Sequence, residues 1–474
     1  MIFLVTMGIK HLKTLLKQIC SENQENQLFP SDYDIKTFRS VQGFVDSEKK
    51  RMYNEYIASN GITNPIKKRQ LKSIFNNKPY FVGIDAYLYA SKYKRVFERI
   101  EFGFFRQILL SLSSHMIPIY VFDGVAPEQK KSTIKQRRNK KRKIYKKLEE
   151  LLVMQNTTIN SAEKILEEIQ NKMNGSSLLP DEFETDDNFL TKCSDSAANK
   201  EVARLTKKST TINYTDIKAL KQFLDFLKIP YITASGEADD MLAMLYKKKI
   251  INACQSDDMD MLPKGCGNVI QINSGTGVPK NLRFSEAPLA PQGGTCENVS
   301  PGDTLSRRLL RSGTSSCNDE VPRGILRGAS VTQYLLNNIL QSIKLNYHQF
   351  VDLCILLGSD YYKVYLPKMN SLDLFNLFIK YPSIEQFVAE YAKTDDKIIH
   401  HLSAYQKTRS SFIDTIENFD LVQINIEIKP INFELTKIYF EQLGITFGES
   451  TNNKFKSLAN NVNNFILMVN IYTH

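Results

Sequence analysis

Histidine is scarce in this chain, six in 474 residues, and no HExxH pattern occurs, which argues against a zinc centre. The seven cysteines are an odd number and contain no CxxC pair, so they read as free thiols of a reducing compartment. No apolar run approaches the length of a transmembrane helix. The opening Met1-Ile2-Phe3-Leu4-Val5 is too short for a signal peptide and lacks its basic flank and cleavage site, so neither secretion nor a membrane partner is expected. Tryptophan is absent while Asn, Lys and Ile abound, a bias that suits an AT-rich viral or protist genome. Acids are the minority sign: 51 Asp and Glu against 62 Lys and Arg leave a net charge of +11, which favours a polyanionic partner.

A hydrophobic content of 42% and a charged content of 24% give ample material for a sizeable core and more than one subdomain. Met7 to Ile19 has helical apolar spacing with basic residues between. A polar stretch over about 21–78 reads as an insertion before the first clear strand, Tyr80 to Ile84. Tyr120-Val121-Phe122 reads as a second strand. From Lys130 to Lys147, eleven of eighteen residues are Lys or Arg, and Asn174 to Ala197 reads as a flexible crossing. Thr215 to Leu227 has helical periodicity, Pro230-Tyr231-Ile232 restarts a strand, and Ser235 is a good N-cap for a further helix. This alternation predicts a parallel α/β sheet. About 274–330 is rich in Gly, Pro, Ser, Thr and Arg and reads as a disordered insertion, and Val331 onward reads as helical, with Gly358 closing the helix of Phe350 to Leu357.

Seven acids stand at the ends of strand-like runs or the starts of helix-like ones: Asp85, Asp123, Glu237, Asp239, Asp258, Asp260 and Asp360. A carboxylate at the end of a buried strand sits where a cleft begins. Glu237 and Asp239 fall in a first helical turn, where the dipole alone explains an acid. Asp258 and Asp260, two apart at a strand end, project to one side, and Asp257 faces away. Singly, each is more often a cap or a solvated residue. Together they predict a hard divalent cation, and with it phosphate chemistry.

The order of short motifs then carries more. Met7-Gly8-Ile9-Lys10, GIDA at Gly83 to Ala86, YVFDG at Tyr120 to Gly124, EAD at Glu237 to Asp239, DMD at Asp258 to Asp260 and FVDLCILLGSDY at Phe350 to Tyr361 resemble, in sequence order, the flap endonuclease/XPG family of structure-specific 5′ nucleases. The last motif is long and specific, and the resemblance covers about 300 residues, leaving the insertions unexplained. It implies two Mg²⁺ or Mn²⁺ ions about 4 Å apart at the seven acids, some of them held through water. All seven positions carry an acid, although Asp239 stands where cellular members usually have Glu. By the same resemblance Lys130 and Arg137, seven apart on one helix face, sit at the base of a helical arch and reach the scissile phosphate. Arg138, Lys140, Lys141 and Arg142 then line that arch, and Gly8 and Lys10, close to the active site, are further DNA-binding candidates.

Three departures accompany the likeness. The position of the family's base-stacking aromatic is Ser91, with Tyr87, Tyr89 and Tyr93 as candidate substitutes. The segment after Asp360 is about three residues shorter and lacks the glycines of the family's K⁺-binding turn, which leaves Lys363 and Lys368 as candidate phosphate contacts. Six residues precede Met7, so Met7 is expected to be the native start. The tail carries no Gln-x-x-aliphatic-x-x-aromatic-aromatic clamp box.

The fold expected is α/β: a PIN-like parallel sheet flanked by helices, with a basic helical arch and a C-terminal helical DNA-binding subdomain. Its divisions run 7–124 (with the 21–78 insertion), 125–214 for the arch and spacer, 215–273, 274–330, 331–430 for duplex binding, and 431–474 as an extension. The function expected is a monomeric, metal-dependent DNA endonuclease acting near 5′-flap single-strand/duplex junctions, in the nucleus or at a cellular or viral site of DNA replication. Alternatives are a 5′ to 3′ exonuclease, a bubble or four-way-junction nuclease, a non-catalytic junction-binding protein, and a small PIN-type ribonuclease, which needs no arch.

Overall fold

The computed structural model describes residues 9, 12–25, 35–97, 99–126, 130–154, 197–273, 329–361, 369–413 and 430–442, and near the end 456, 460, 463, 464 and 466. The strands among them are β1 (Ile35–Phe38), β2 (Tyr80–Asp85), β3 (Met116–Phe122), β4 (Tyr231–Thr233), β5 (Ala253–Gln255), β6 (Asn268–Asn273) and β7 (Ser330–Leu335). They form one sheet in the order β1-β7-β6-β5-β2-β3-β4. β6, β5, β2, β3 and β4 run parallel. β7 pairs antiparallel with β6, and β1 antiparallel with β7. The expected parallel sheet is therefore the core of a mixed one.

Parallel strands covered on both faces are apolar throughout, and every residue of β3 is buried. Side chains alternate across the pleat: Ile119 and Val121 enter one apolar cluster, Tyr120 and Phe122 the other. The first cluster is filled by α1 (Leu12–Glu25), α9 (Ala238–Lys247), α10 (Leu336–Ile343), α11 (Tyr347–Leu357), α12 (Ser371–Lys380), α13 (Ile384–Tyr391) and α14 (Leu402–Ile413). The second is filled by α2 (Val41–Ser59), α4 (Ala86–Lys94), α5 (Ile100–Ser113) and α8 (Tyr214–Leu227), with Phe433 of α15 (Phe433–Gln442). Between them in sequence lie α3 (Pro65–Asn77), none of whose residues is buried, α6 (Lys131–Met154) and α7 (Ala197–Ser209). α6 and α7 pair through Leu148 and Leu205. No described helix is long and apolar enough to cross a membrane.

Several expectations change. The described part of 21–78 supplies β1, α2 and α3, and Glu48 of α2 reaches under the sheet to accept from the Tyr80 hydroxyl at 3.0 Å and Asn268 Nδ2 at 2.9 Å. Ser330–Leu335 is a strand, not helix: Val331, Thr332 and Tyr334 favour extended backbone, and β1 and β6, distant in sequence, supply its ladder. The N-terminal helix runs past Ile19 to Glu25. The crossing expected over 174–197 and the insertion expected over about 274–330 lie outside the described residues except at their ends, where Ala197 begins α7, residue 329 is described and Ser330 begins β7.

Three local features hold the site's scaffold. A Cβ on Gly83 would stand 2.4 Å from Leu242 Cδ2 and 2.7 Å from Ile251 Cδ1, so glycine lets α9 lie directly on β2. Asn346 and Gln349 form a capping box at the start of α11, and Gly358, at φ 104°, closes it. Within α11, Asp352 accepts from Arg409 at 2.5 and 2.7 Å and from the Ile384 backbone at 3.1 Å, fastening α14 and α13 to the helix that delivers Asp360.

Candidate active site

Because β5, β2, β3 and β4 are parallel neighbours, their carboxyl ends stand side by side. Asp85 ends β2 and accepts from Leu88 N at 3.0 Å, capping α4. Asp123 follows β3 and accepts from Ala238 N at 2.7 Å, which joins the end of β3 to the start of α9. The chain leaves β4 through residues 234–236 to Glu237, the cap position of α9, whose side chain makes no capping bond. The expected cap at Ser235 is thus not used, and Asp239 and Asp240 occupy the first turn. Asp258 and Asp260 lie beyond β5 in a 3₁₀ turn (Met259–Met261), not on a strand end: the Asp258 carboxylate accepts from Asp260 N at 2.9 Å, and this cap replaces the extended spacing. Asp257 turns aside to Lys92. Asp360 follows α11.

Cations face the cluster. Lys130 Nζ is 2.7 Å from Glu237 Oε1, and Arg137 Nη2 is 2.6 Å from Asp360 Oδ2. Thr133 Oγ1 donates to the Asp360 carbonyl at 2.7 Å, so the first turns of α6 are tied to the acids. Two further residues, not singled out from sequence, take part. Lys264 lies 3.0 Å from Glu237 Oε2 and 2.7 Å from Asp240 Oδ1. Tyr361 donates its hydroxyl to Glu237 Oε2 at 2.7 Å and stacks under Lys130, whose Nζ is 4.6 Å from the ring centroid. The available signal for Lys264 was a lysine in an otherwise apolar run, four residues after Asp260.

Burial and mutual repulsion set the charge states. Burial pushes Asp85 well above the ordinary carboxylate range, with Asp123 and Asp239 adding to it. Burial raises Asp123 to about 6, against the bond from Ala238 N. Burial raises Asp258 to about 7, with Asp239 adding to it, and lifts Asp260 well above normal, with Asp258 and Asp360 adding to it. Burial also raises Asp239, although Lys264 and Lys130 pull the other way. For Glu237 the balance reverses: Lys264 and Lys130 outweigh burial and hold it at about 2.

A group raised on folding adds stability that is complete below its unfolded value and lost as pH climbs through its folded one. In buffer stripped of divalent ions, Asp123 and Asp258 should therefore cost the chain stability from about pH 4 to about pH 7. Glu237 acts in the opposite sense, losing its contribution only as pH falls from 4.5 to about 2. Thermal melts in chelator should show a midpoint that is higher at pH 5 than at pH 7; a midpoint higher at pH 7 would contradict these assignments.

As the side chains stand, no three His, Cys, Asp or Glu among the described residues converge as the ligand set of one ion. The donor set nonetheless fits a hard cation. Asp260 is 1% exposed, and neither of its oxygens has a hydrogen-bond partner among the described residues; Asp239 Oδ1 is likewise buried and without one. Buried carboxylate oxygens without donors are costly until a cation meets them.

Around the site, Arg138, Lys140 and Arg142 are exposed along α6 and Lys141 is half-buried. Ser91 and Tyr89 are buried, Gln255 Nε2 donates to the Tyr89 hydroxyl at 2.9 Å, and Tyr93 packs edge-on against Phe104, so these belong to the core. Tyr87 is half-buried, edge-on to Phe122 beside Asp123. Gly8, Lys10, Lys363 and Lys368 lie outside the described residues.

Two family models match this chain, the XPG N-terminal domain over residues 63–144 and the XPG I-region over residues 228–360. The chain is 23% identical over 417 residues to flap endonuclease 1 of Enterocytozoon bieneusi, covering 87% of this chain and 80% of that protein. It is 25% identical over 286 residues to flap endonuclease 1 of Bos taurus, covering 60% of this chain and 51% of that protein. The chain thus spans about half the length of the mammalian relative. Among solved structures, flap endonuclease-1 from Methanococcus jannaschii is similar at a TM-score of 0.42 and 15% identity, covering 83% of this chain and 94% of that one.

Proposed function

This chain belongs to the flap endonuclease/XPG family of structure-specific nucleases, and from that premise we propose that it is a metal-dependent DNA endonuclease that hydrolyses phosphodiester bonds at single-strand/duplex junctions, 5′ flaps foremost. One observation carries the reading. The seven acids repel one another as neighbours beyond the carboxyl ends of the parallel strands, with three of their oxygens buried and without a partner among the described residues, beside the first turns of a helix dense in Lys and Arg.

Asp85, Asp123, Glu237, Asp239, Asp258, Asp260 and Asp360 would hold two Mg²⁺ or Mn²⁺ ions, Asp260 and Asp239 by the oxygens now without donors. Bound there, the ions would supply Lewis acidity at the attacked phosphate and a lowered pKa for the attacking water. The chain's own contribution is electrostatic and positional. Lys130, just before α6, and Arg137, two turns along it, are fixed positive charges that face the developing phosphorane anion when DNA enters. Arg138, Lys140, Lys141 and Arg142 extend the same field along the helix and attract single-stranded phosphate without reading sequence. Tyr87, beside Asp123, is the half-buried ring open to a base near the first acid. All seven acids are present, which counts against a junction-binding protein without activity.

The test is single-turnover cleavage of labelled 5′-flap, nicked, bubble and four-way DNA, with Mg²⁺ and with chelator. The 5′ flap should be cut fastest, and only with metal. Lys130→Ala and Arg137→Ala should each slow the flap reaction roughly tenfold while changing DNA affinity far less. Cutting in chelator, or no cutting of any substrate, would refute the reading; preference for bubble or four-way DNA would move it to those structures, and release of single nucleotides to an exonuclease.

A further inference from the structure

Lys264 is fully buried, at 0% exposure, in the midst of the acids. Its ammonium lies 3.0 Å from Glu237, 2.7 Å from Asp240 and 3.9 Å from Asp239, with the Tyr361 ring 5.6 Å away. A buried ammonium survives only when matched by anions: Lys264 donates a hydrogen bond to Glu237 Oε2, and Asp240 is its shortest ionic contact, close but not aligned as a hydrogen bond. Asp240 itself stands one residue past Asp239 on α9 and belongs to none of the seven acids. Lys264 hangs from the loop after the 3₁₀ turn, its backbone N donating to the Asp260 carbonyl at 3.1 Å, so one residue connects the two acid-bearing segments 237–240 and 258–260.

We propose that Lys264 is a resident cation of the acidic site, moored by Asp240, that positions Glu237 and Asp239 and sets how tightly an incoming divalent cation is held. The proposal rests on the metal-binding reading given above. Lys264 is a positioning residue: it acts through the two carboxylates and has no reach of its own to the phosphate, being closed over by Tyr361. Its positive charge competes with an arriving cation for the same oxygens, and Asp240 draws part of that charge away. The two residues therefore have opposite signs of effect. Without Lys264 the cluster is more negative and should bind a divalent cation more tightly; without the charge of Asp240, Lys264 is left wholly to Glu237 and Asp239 and binding should weaken.

Titration calorimetry of Mn²⁺ into the full-length chain without DNA reads this directly. Lys264→Met should bind roughly tenfold more tightly than wild type, and the isosteric Asp240→Asn roughly tenfold more weakly. Merely structural roles would move both in the same direction, toward weaker binding. Both variants shifting together, or Asp240→Asn leaving affinity unchanged, overturns the assignment of Lys264, and the Asp240→Asn arm decides the matter even where Lys264→Met does not fold. Absence of Mn²⁺ binding by the wild-type chain overturns the metal reading itself, which is a different failure.

Discussion

Asp260→Asn should yield a chain that is more stable than wild type in chelator and yet cuts flap DNA roughly a hundred- to a thousandfold more slowly with Mg²⁺. Both halves follow from one carboxylate. Asp260 is buried with no donor on either oxygen among the described residues, and its neighbours Asp258 and Asp360 push its pKa further up. Folding without a cation must therefore either protonate it or bury its charge against repulsion, and asparagine removes both costs. The gain expected is about 1–2 kcal/mol, the usual scale when a functional site's built-in repulsion is relieved. The same exchange removes an anionic oxygen from the proposed cation site, and urea denaturation in chelator beside single-turnover cleavage separates the two effects. A variant less stable than wild type in chelator would make Asp260 a structural acid.

Gly124→Ala should cost about 3 kcal/mol and remove activity even in the molecules that remain folded. A Cβ at Gly124 would sit 2.1 Å from the Ala234 carbonyl oxygen and 2.7 Å from that of Ser235, backbone atoms that no rotamer change can move. Gly124 N also donates to Gly236 O at 2.7 Å, and Val125 N to Ser235 O at 3.2 Å, which draws the exits of β3 and β4 together. Opening that seam lengthens the bond from Ala238 N to Asp123 and separates Asp123 from Glu237. Gly236→Ala is the control: a Cβ there meets nothing within 4 Å, and its backbone lies outside the left-handed region, so urea midpoints should stay near wild type. Similar losses in both variants would show that chain flexibility, not the close approach, matters at this seam.

The sequence was most readable where local pattern and tertiary role agree. The run before Asp85 and the run before Asp123 are apolar because β2 and β3 are covered on both faces, and the acids end them because the sheet ends there. β7 was unreadable as a strand because its two ladders come from segments distant in sequence, and the pairing with β1 lies within a stretch whose polarity resembles an insertion. Asp258-Met259-Asp260 carries the same spacing in a strand as in a 3₁₀ turn, and only the bond from Asp260 N to the Asp258 carboxylate distinguishes them. Lys264 and Asp240 escaped because an ion pair between a loop and a helix leaves no periodicity behind.

The site's parts are spread along the chain from Asp85 to Asp360, with Arg137 and Glu237 between. At synthesis rates of about 5–20 residues per second, the first acid leaves the ribosome well before the last. Until α11 has emerged and docked, Arg137 has no Asp360 to pair with and Asp260 lacks one of its repelling neighbours. A ribosome-bound chain that stops short of Asp360 therefore carries the basic helix without the completed acid cluster, able to attract nucleic acid before it can cut it.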